Sequence, residues 1–249
     1  MRALSFLFSL VMIATGLFAC AAPAAETNAP STTAAPTETT SKYPEPDKLI
    51  ALTFDDGPNV HMKNMVEILD AYDAKGSFFL IGKKIADNQS TVAMAYENGH
   101  EIGNHSFSHE RMPDKTEEEI LLEISKVQEA VEAITGEAPV WYRPPFLAAS
   151  DLTFDLIDMP YAHCGASAGD GSNDNLAEDR IYRVVSGAYD GCIVLLHCND
   201  ITAEVLPTIL EELKMQGYEM VTISELFARK GVTPSSTVNF QYKDVNTTE

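Results

Sequence analysis

The chain has 249 residues, of which 45% are apolar and 22% charged, so it can bury a core and is not fibrous or disordered as a whole. Its 17 Lys and Arg against 37 Asp and Glu leave a net charge of −20, the wrong sign for binding nucleic acid or docking on anionic lipid headgroups. Four cysteines without C-x-x-C spacing exclude a disulfide scaffold and a finger-type zinc site, so a metal would need histidine and carboxylate ligands.

Residues 1–20 are typical of an exported bacterial protein. A basic start precedes an apolar stretch over residues 3–19 that is slightly short for a membrane-spanning helix. The stretch ends in Leu-Phe-Ala followed by Cys20, which resembles the lipobox of bacterial lipoproteins, whose cysteine carries the lipid. We therefore expect an extracytoplasmic lipoprotein of the cell envelope that meets the membrane only through this lipid anchor. The alternative is an ordinary cleavable signal peptide, which would make the protein secreted.

Two polar segments flank the expected domain. Residues 21–46 consist mostly of Ala, Thr, Pro, Glu and Ser, a composition that cannot offset the entropy of ordering and predicts a flexible tether. Residues 232–249 are polar and predict a loosely attached C-terminal tail. The folded domain is expected over residues 47–231.

Within that range, short apolar runs alternate seven times with segments of helical period. The runs are Leu49–Phe54, Ser77–Ile81, His100–Gly103, Val140–Tyr142, Tyr161–Ala166, Cys192–Leu196 and Tyr218–Ile223. Repeated strand and helix units imply parallel strands joined by crossover connections, and nothing inside the range indicates a second domain. The prediction is one α/β domain, either a barrel of seven or eight units or an open doubly wound sheet.

Two of the intervening helices have clear signals. Thr116 opens a capping box with Glu119, an apolar face repeats at helical spacing behind it, and Gly136 ends the segment. A second apolar face predicts a helix over about residues 202–216.

Polar side chains suited to catalysis or metal binding follow five of the predicted strands. They are Asp55 and Asp56, then His105, Arg143, Asp170 and His197. Each motif alone is compatible with a turn, a solvated charge or a buried histidine. Because the ends of parallel strands converge on one face in βα architectures, we expect the six side chains to meet there.

Three of the side chains in this region suit a metal. Asp56, His105 and His109 would supply one oxygen and two imidazole nitrogens, a set that leaves a coordination position open. An open position is typical of a catalytic metal, which lowers the pKa of a bound water and polarises a carbonyl.

The remaining side chains suit proton transfer. Asp55 projects differently from Asp56 at the strand end, so it can accept a proton from water. His197 could protonate a leaving group, with Asp170 or Asp200 orienting its ring.

Taken together, these motifs resemble those of the metal-dependent polysaccharide deacetylases, carbohydrate esterases with the NodB-homology domain. The matching segments are Thr53-Phe54-Asp55-Asp56-Gly57, His105-Ser106-x-x-His109, Arg143-Pro144-Pro145-Phe146, Asp170 and Leu195-Leu196-His197. The resemblance covers about residues 45–231 and implies a single distorted (β/α) barrel of about seven units.

The resemblance also implies a role for each residue. The implied base is Asp55, the acid His197, and the ligands of one divalent metal Asp56, His105 and His109. Arg143 would orient Asp55, and Asp170 would support His197. The substrate-contacting residues would be Pro144, Phe146, whose backbone N–H would stabilise an oxyanion, and Leu195, which would line the pocket for the acetyl methyl group.

The chain departs from the family pattern at three positions. Phe146 stands where Tyr is usual, which matters little if only its backbone donates. Gly171 replaces the usual Trp and removes an aromatic wall of the groove, which leaves the substrate open. Cys198 stands where Asp is common.

The reaction that the resemblance implies is hydrolytic removal of acetyl groups from a polysaccharide. N-acetyl groups of a GlcNAc-containing glycan such as peptidoglycan or chitin are favoured, and O-deacetylation of xylan uses the same residues. Zinc is the favoured metal, with cobalt, nickel and iron left open.

Two other functional interpretations compete with this one, and the state of two cysteines is also open. Residues 165–169 match the G-x-S-x-G elbow of serine hydrolases, but a loop follows where that motif needs a helix. A non-catalytic glycan-binding lipoprotein would need several exposed aromatics, and the chain has one Trp. Cys164 and Cys192 could form a disulfide bridge or remain inert thiols.

Overall fold

The computed structural model describes residues 42–171, 176–236 and 241–247. The expected signal peptide, Cys20 and most of the expected tether lie outside the described residues. Within the described ranges, no helix is long and apolar enough to cross a membrane.

Strands and helices alternate along most of the described chain. The strands are β1 (Lys48–Gly57), β2 (Gly76–Leu80), β3 (Glu101–Asn104), β4 (Tyr161–Ala162), β5 (Ala166–Ser167), β6 (Cys192–His197), β7 (Tyr218–Met220) and β8 (Gln241–Tyr242). The helices are α1 (Val60–Ala71), α2 (Gln89–Glu97), α3 (Glu117–Thr135), α4 (Asp151–Leu156), α5 (Ala177–Gly187), α6 (Asp200–Met215) and α7 (Ile223–Arg229).

The sheet is parallel and centred on β1. Its order is β3-β2-β1-β6-β5, and β7 pairs with the first residues of β1. The small β4–β8 sheet is joined to it by isolated bridges, through Tyr142 on one side and between Cys192 and Asp244 on the other. This arrangement confirms the prediction of a distorted (β/α) barrel, although the described strands do not form a continuous closed barrel.

Two of the predicted strands differ in detail. Val140–Tyr142 contributes only single-residue bridges at Tyr142. The run Tyr161–Ala166 divides into β4 and β5, because its two ends pair with different partners: the backbone N–H of His163 donates to Tyr242, whereas that of Gly165 donates to Ile193.

Residues 241–247, which are part of the predicted loosely attached tail, pack onto the folded domain. β8 pairs in parallel with β4, and Tyr242 is buried. Its ring packs edge-on against Trp141 and Phe227, with centroid distances of 5.8 and 5.0 Å. The expectation was wrong here because one buried aromatic side chain and a strand pairing outweigh a polar average composition.

Both predicted helices are present. Thr116 and Glu119 form the capping box of α3, and Gly136 ends that helix with a left-handed backbone at φ 82°. α6 begins slightly earlier than predicted, because the Asn199 side chain accepts from the backbone N–H of Thr202 and caps the helix.

Strand register decides which side chains reach the carboxyl end of the sheet. Ala51 of β1 and Ile193 of β6 lie in an apolar cluster on the inner side of the sheet. Since side chains alternate along a strand, the paired residues further along, Thr53 with Leu195 and Asp55 with His197, share that inner side. The register therefore places two of the predicted site residues next to each other.

Candidate active site

Asp55 is buried at the end of β1 and is held by an arginine. The Nη1 of Arg143 donates to Asp55 Oδ1 at 2.8 Å, and the Arg143 side chain is fully buried. A buried carboxylate with a guanidinium partner avoids the cost of an unpaired buried charge. The structure thus brings Arg143 onto Asp55, as predicted.

The whole guanidinium group of Arg143 is fixed in place. Nε donates to the Ala162 carbonyl at 2.9 Å, Nη2 to the His163 carbonyl at 2.9 Å, and Nη1 also to Thr53 Oγ1 at 2.8 Å. Its central carbon lies 4.3 Å from the centroid of the Phe79 ring. These contacts leave Arg143 one orientation, which aligns the carboxylate of Asp55.

The three predicted metal ligands lie together beside Asp55. One ligand atom from each of Asp56, His105 and His109 lies within 4.8 Å of the others. His109 Nε2 is 3.1 Å and His105 Nε2 is 3.6 Å from Asp56 Oδ1. No other cluster of this kind occurs among the described residues.

The protonation states of this cluster suit a cation. Burial raises the pKa of Asp56, but the neighbouring His109 and His105 outweigh it and lower the pKa to about 2. Burial is also the main reason that the pKa of His105 is lowered, which favours the neutral imidazole. A carboxylate anion beside a neutral imidazole is the donor set that a divalent metal requires.

Two further observations test whether a metal fits. Oδ1 of Asp56 is buried, and although His109 Nε2 lies 3.1 Å away, the two groups are not aligned as a hydrogen bond, and no other described group donates to this oxygen. The other ring nitrogen of His105, Nδ1, lies 2.7 Å from the Arg143 carbonyl, so its proton is used there and Nε2 presents a lone pair. The residues fit a divalent metal.

The backbone around these ligands is strained. Asp56, Ser106, His109 and Phe146 have left-handed φ values of 70°, 62°, 61° and 60° although none is glycine. Such conformations are costly and gather at functional sites. Here they occur in three segments that meet at the site: the end of β1, residues 106–109 and the turn at Phe146.

His197 is oriented by Asp170 and not by Asp200. Nδ1 of His197 lies 2.8 Å from Asp170 Oδ1, and the His197 backbone N–H donates to Asp170 Oδ2 at 2.8 Å. Burial lowers the pKa of His197, but the hydrogen bond to Asp170 and the charges of Asp55 and Asp170 outweigh it, so the pKa is raised. Asp200 instead accepts from the backbone N–H of Ile201 at the start of α6.

Two of the predicted substrate-contacting residues, Leu195 and Phe146, lie beside this centre. Leu195 lies in β6 two residues before His197, on the same side of the sheet, and is buried. The ring of Phe146 is 62% exposed and lies 4.9 Å from the His109 ring, whereas Pro144, two residues earlier, is buried. Gly171 lies against His197: a Cβ at this position would be 3.1 Å from His197 Cε1.

The geometry does not support the serine hydrolase interpretation or a disulfide bridge. Ser167 lies in β5, its hydroxyl accepts from the Gly169 backbone N–H, and no helix begins there. A serine triad would also need a carboxylate on His197 from this part of the chain, but Asp190 bonds to the Leu49 backbone N–H and the His197 ring bonds to Asp170. Cys164 and Cys192 are free thiols, not a bridge.

The sequence reasoning missed the residues that support the predicted ones. Thr53 binds Arg143, Thr202 binds Asp170, and Arg180 binds Thr202. The only local signal was the position of Thr202 in the first turn of α6. No local pattern distinguishes Arg180 from an exposed helical arginine.

The comparisons with known proteins agree with this geometry. The polysaccharide deacetylase family model matches residues 42–160. A peptidoglycan-N-acetylglucosamine deacetylase of Bacillus cereus is 33% identical over 204 residues, which cover 77% of this chain and 93% of that protein. The chain belongs to the polysaccharide deacetylase family.

Two further relatives are similar over most of this chain. A bifunctional xylanase/deacetylase of Pseudobutyrivibrio xylanivorans is 37% identical over 200 residues, 79% of this chain but only 32% of that larger protein. The structure of a family 4 acetyl xylan esterase from Clostridium thermocellum, in complex with a cobalt ion, is 35% identical and superimposes with a TM-score of 0.77 over 80% of this chain and all of that one. This chain thus spans about a third of the length of the xylanase/deacetylase.

Proposed function

We propose that this chain is a metal-dependent hydrolase that removes acetyl groups from a polysaccharide, preferentially N-acetyl groups of a GlcNAc-containing glycan such as peptidoglycan. The observation that carries the proposal is the pairing of Asp55 with His197 across β1 and β6, directly beside the Asp56, His105 and His109 cluster. A base, an acid and a metal site at one point are what hydrolysis of an amide or ester requires.

A divalent metal held by Asp56, His105 and His109 would polarise the acetyl carbonyl and lower the pKa of a water beside it. We propose zinc as the metal, because two imidazoles and a carboxylate suit it. Cobalt, nickel or iron would also fit these ligands.

The chain's own residues would carry the protons. Asp55, aligned by Arg143, accepts a proton from the attacking water as oxygen adds to the carbonyl carbon. The Phe146 backbone N–H donates to the carbonyl oxygen as charge develops on it. His197, oriented by Asp170, donates the proton with which the sugar nitrogen leaves as a free amine, and acetate is the second product.

O-deacetylation of xylan is the second candidate, because the same residues would serve an ester and relatives of both kinds are similar to this chain. The N-acetyl substrate is favoured by the B. cereus relative, which this chain matches over nearly all of that protein. We further propose that the protein acts outside the cytoplasm as a lipoprotein anchored through Cys20, consistent with relatives named for cell-wall peptidoglycan.

The test is acetate release by the purified full chain from chitooligosaccharides, peptidoglycan and acetylxylan. We expect release that stops with a chelator, returns with added zinc or cobalt, and is lost in Asp55→Asn. The preferred polymer decides between the N-acetyl and O-acetyl substrates. A folded, metal-loaded protein that releases no acetate from any of the three would favour a glycan-binding protein without catalysis.

A further inference from the structure

A second arginine, Arg180 of α5, lies fully buried on the His197 side of the site. Its Nη1 donates to Asn199 Oδ1 at 2.7 Å and to Thr202 Oγ1 at 2.9 Å. Among the described residues, Nε and Nη2 are buried without a hydrogen-bond partner, and no carboxylate forms an ion pair with the group. A buried charge so weakly compensated costs free energy, so its presence calls for a reason.

The two side chains that accept from Arg180 also bind Asp170. One is Thr202 in the first turn of α6, and the other is Asn199, the residue that caps this helix. Thr202 Oγ1 donates to Asp170 Oδ2 at 2.6 Å, and Asn199 Nδ2 donates to the Asp170 carbonyl at 3.1 Å. One nitrogen of Arg180 therefore touches both supports of Asp170.

Arginine can only donate, and this fixes the direction of the hydrogen bonds. Because Nη1 occupies a lone pair of Thr202 Oγ1, the hydroxyl proton points to Asp170. For the same reason Asn199 turns its oxygen to Arg180 and its NH₂ group to Asp170. A chain of hydrogen bonds thus runs from Arg180 through Thr202 to Asp170 and on to the His197 ring.

We propose that Arg180 is a positioning residue for proton donation by His197, acting through Thr202 and Asn199 on Asp170. The inference rests on the function proposed above. Arg180 holds the Asp170 carboxylate in the one orientation in which Oδ1 meets the His197 ring and Oδ2 meets the backbone N–H. His197 Nε2 is then aimed at the leaving group.

The test compares two substrates in the full chain loaded with zinc. A chitooligosaccharide has a poor amine leaving group that needs a proton, whereas an aryl acetate leaves without one. For Arg180→Met we expect kcat on the chitooligosaccharide to fall by about 10- to 100-fold at nearly unchanged KM, with aryl acetate hydrolysis and bound zinc unchanged. Arg180→Lys, which keeps a buried donor and charge, is expected to recover part of the loss.

Arg183→Met, an exposed position of the same helix, is the matched control and is expected to behave as wild type. Equal losses on both substrates, or values for Arg180→Met equal to those of Arg183→Met, would overturn the inference. If Arg180→Met does not fold, Thr202→Val removes the relaying hydroxyl at similar volume and is expected to give the same split. A wild-type chain that deacetylates nothing would instead refute the proposed function.

Discussion

The two sides of the site hold their carboxylates in different ways. On the base side, Arg143 touches Asp55 directly, and each nitrogen of its guanidinium donates a hydrogen bond. On the acid side, no described arginine touches Asp170, and Arg180 reaches it only through Thr202 and Asn199. The metal-ligand loops on the base side also carry the left-handed φ values of non-glycine residues.

The difference follows from what each carboxylate must do. Asp55 has one oxygen to spare for the reaction, so a direct ion pair can take the other. Both oxygens of Asp170 are needed by His197, one for the ring and one for the backbone N–H. An arginine placed directly on Asp170 would compete with these bonds, whereas a hydroxyl between them shares one oxygen without displacing His197.

The largest effects are expected at the adjacent carboxylates Asp55 and Asp56, of which one accepts a proton and the other binds the metal. Asp56→Asn removes the anionic ligand and should weaken zinc binding by more than about 100-fold. Asp55→Asn should keep the metal and lose about 10²- to 10⁴-fold in kcat, since only the proton acceptor is gone. Equilibrium dialysis measures the zinc affinity of each variant, and acetate release measures its kcat. Equal zinc affinities in the two variants would contradict the assignment.

The next effect concerns stability on the base side. Arg143→Met leaves Asp55 buried without its counterion and should lower the free energy of unfolding by about 3–5 kcal/mol. The double variant with Asp55→Asn should recover part of this loss, because the neutral amide no longer needs a counterion. Urea denaturation of the four proteins of this cycle is the measurement, and purely additive losses would refute the coupling.

A smaller effect with a defined pH dependence is expected on the acid side. Asp170→Asn keeps the shape but removes the charge that helps to raise the pKa of His197, so this pKa should fall. Because the acid must be protonated to donate, activity declines as pH rises through that pKa, and the basic limb should move to lower pH. We also expect kcat to fall by about 10- to 100-fold.

The kcat profile between neutral and alkaline pH is the measurement for Asp170→Asn. Asp200→Asn, which alters the carboxylate at the start of α6 that does not touch His197, is its control and should retain the wild-type limb. A basic limb that stays in place in Asp170→Asn would refute the role given to Asp170.

The smallest effect is expected at Gly171. In Gly171→Ala the new methyl would stand 3.1 Å from His197 Cε1, closer than a relaxed contact. We expect kcat to fall by up to about 10-fold, with a stability change below about 1 kcal/mol. The control is Gly187→Ala at the end of α5. There a new Cβ would lie 3.2 Å from the Ala166 Cβ and would not touch His197. Unchanged kcat in Gly171→Ala would show that the ring has room.

The sequence by itself determined the groups that do chemistry and the local signals around them. The adjacent Asp55 and Asp56, the His105 and His109 spacing, and the strand ends that carry Arg143 and His197 are contiguous patterns. The capping box at Thr116 is of the same kind. Each depends on residues within a few positions of one another, so it can be recognised without the fold.

The tertiary structure alone decided which distant residues support those groups. Whether Arg180 is an exposed or a buried arginine, and whether Thr202 supports Asp170, depends on how α5 and α6 pack beside β6. The fate of β8 depends likewise on a pairing with β4, far earlier in the chain. Contacts between elements remote in sequence are set by packing and strand pairing, and composition or periodicity carries no record of them.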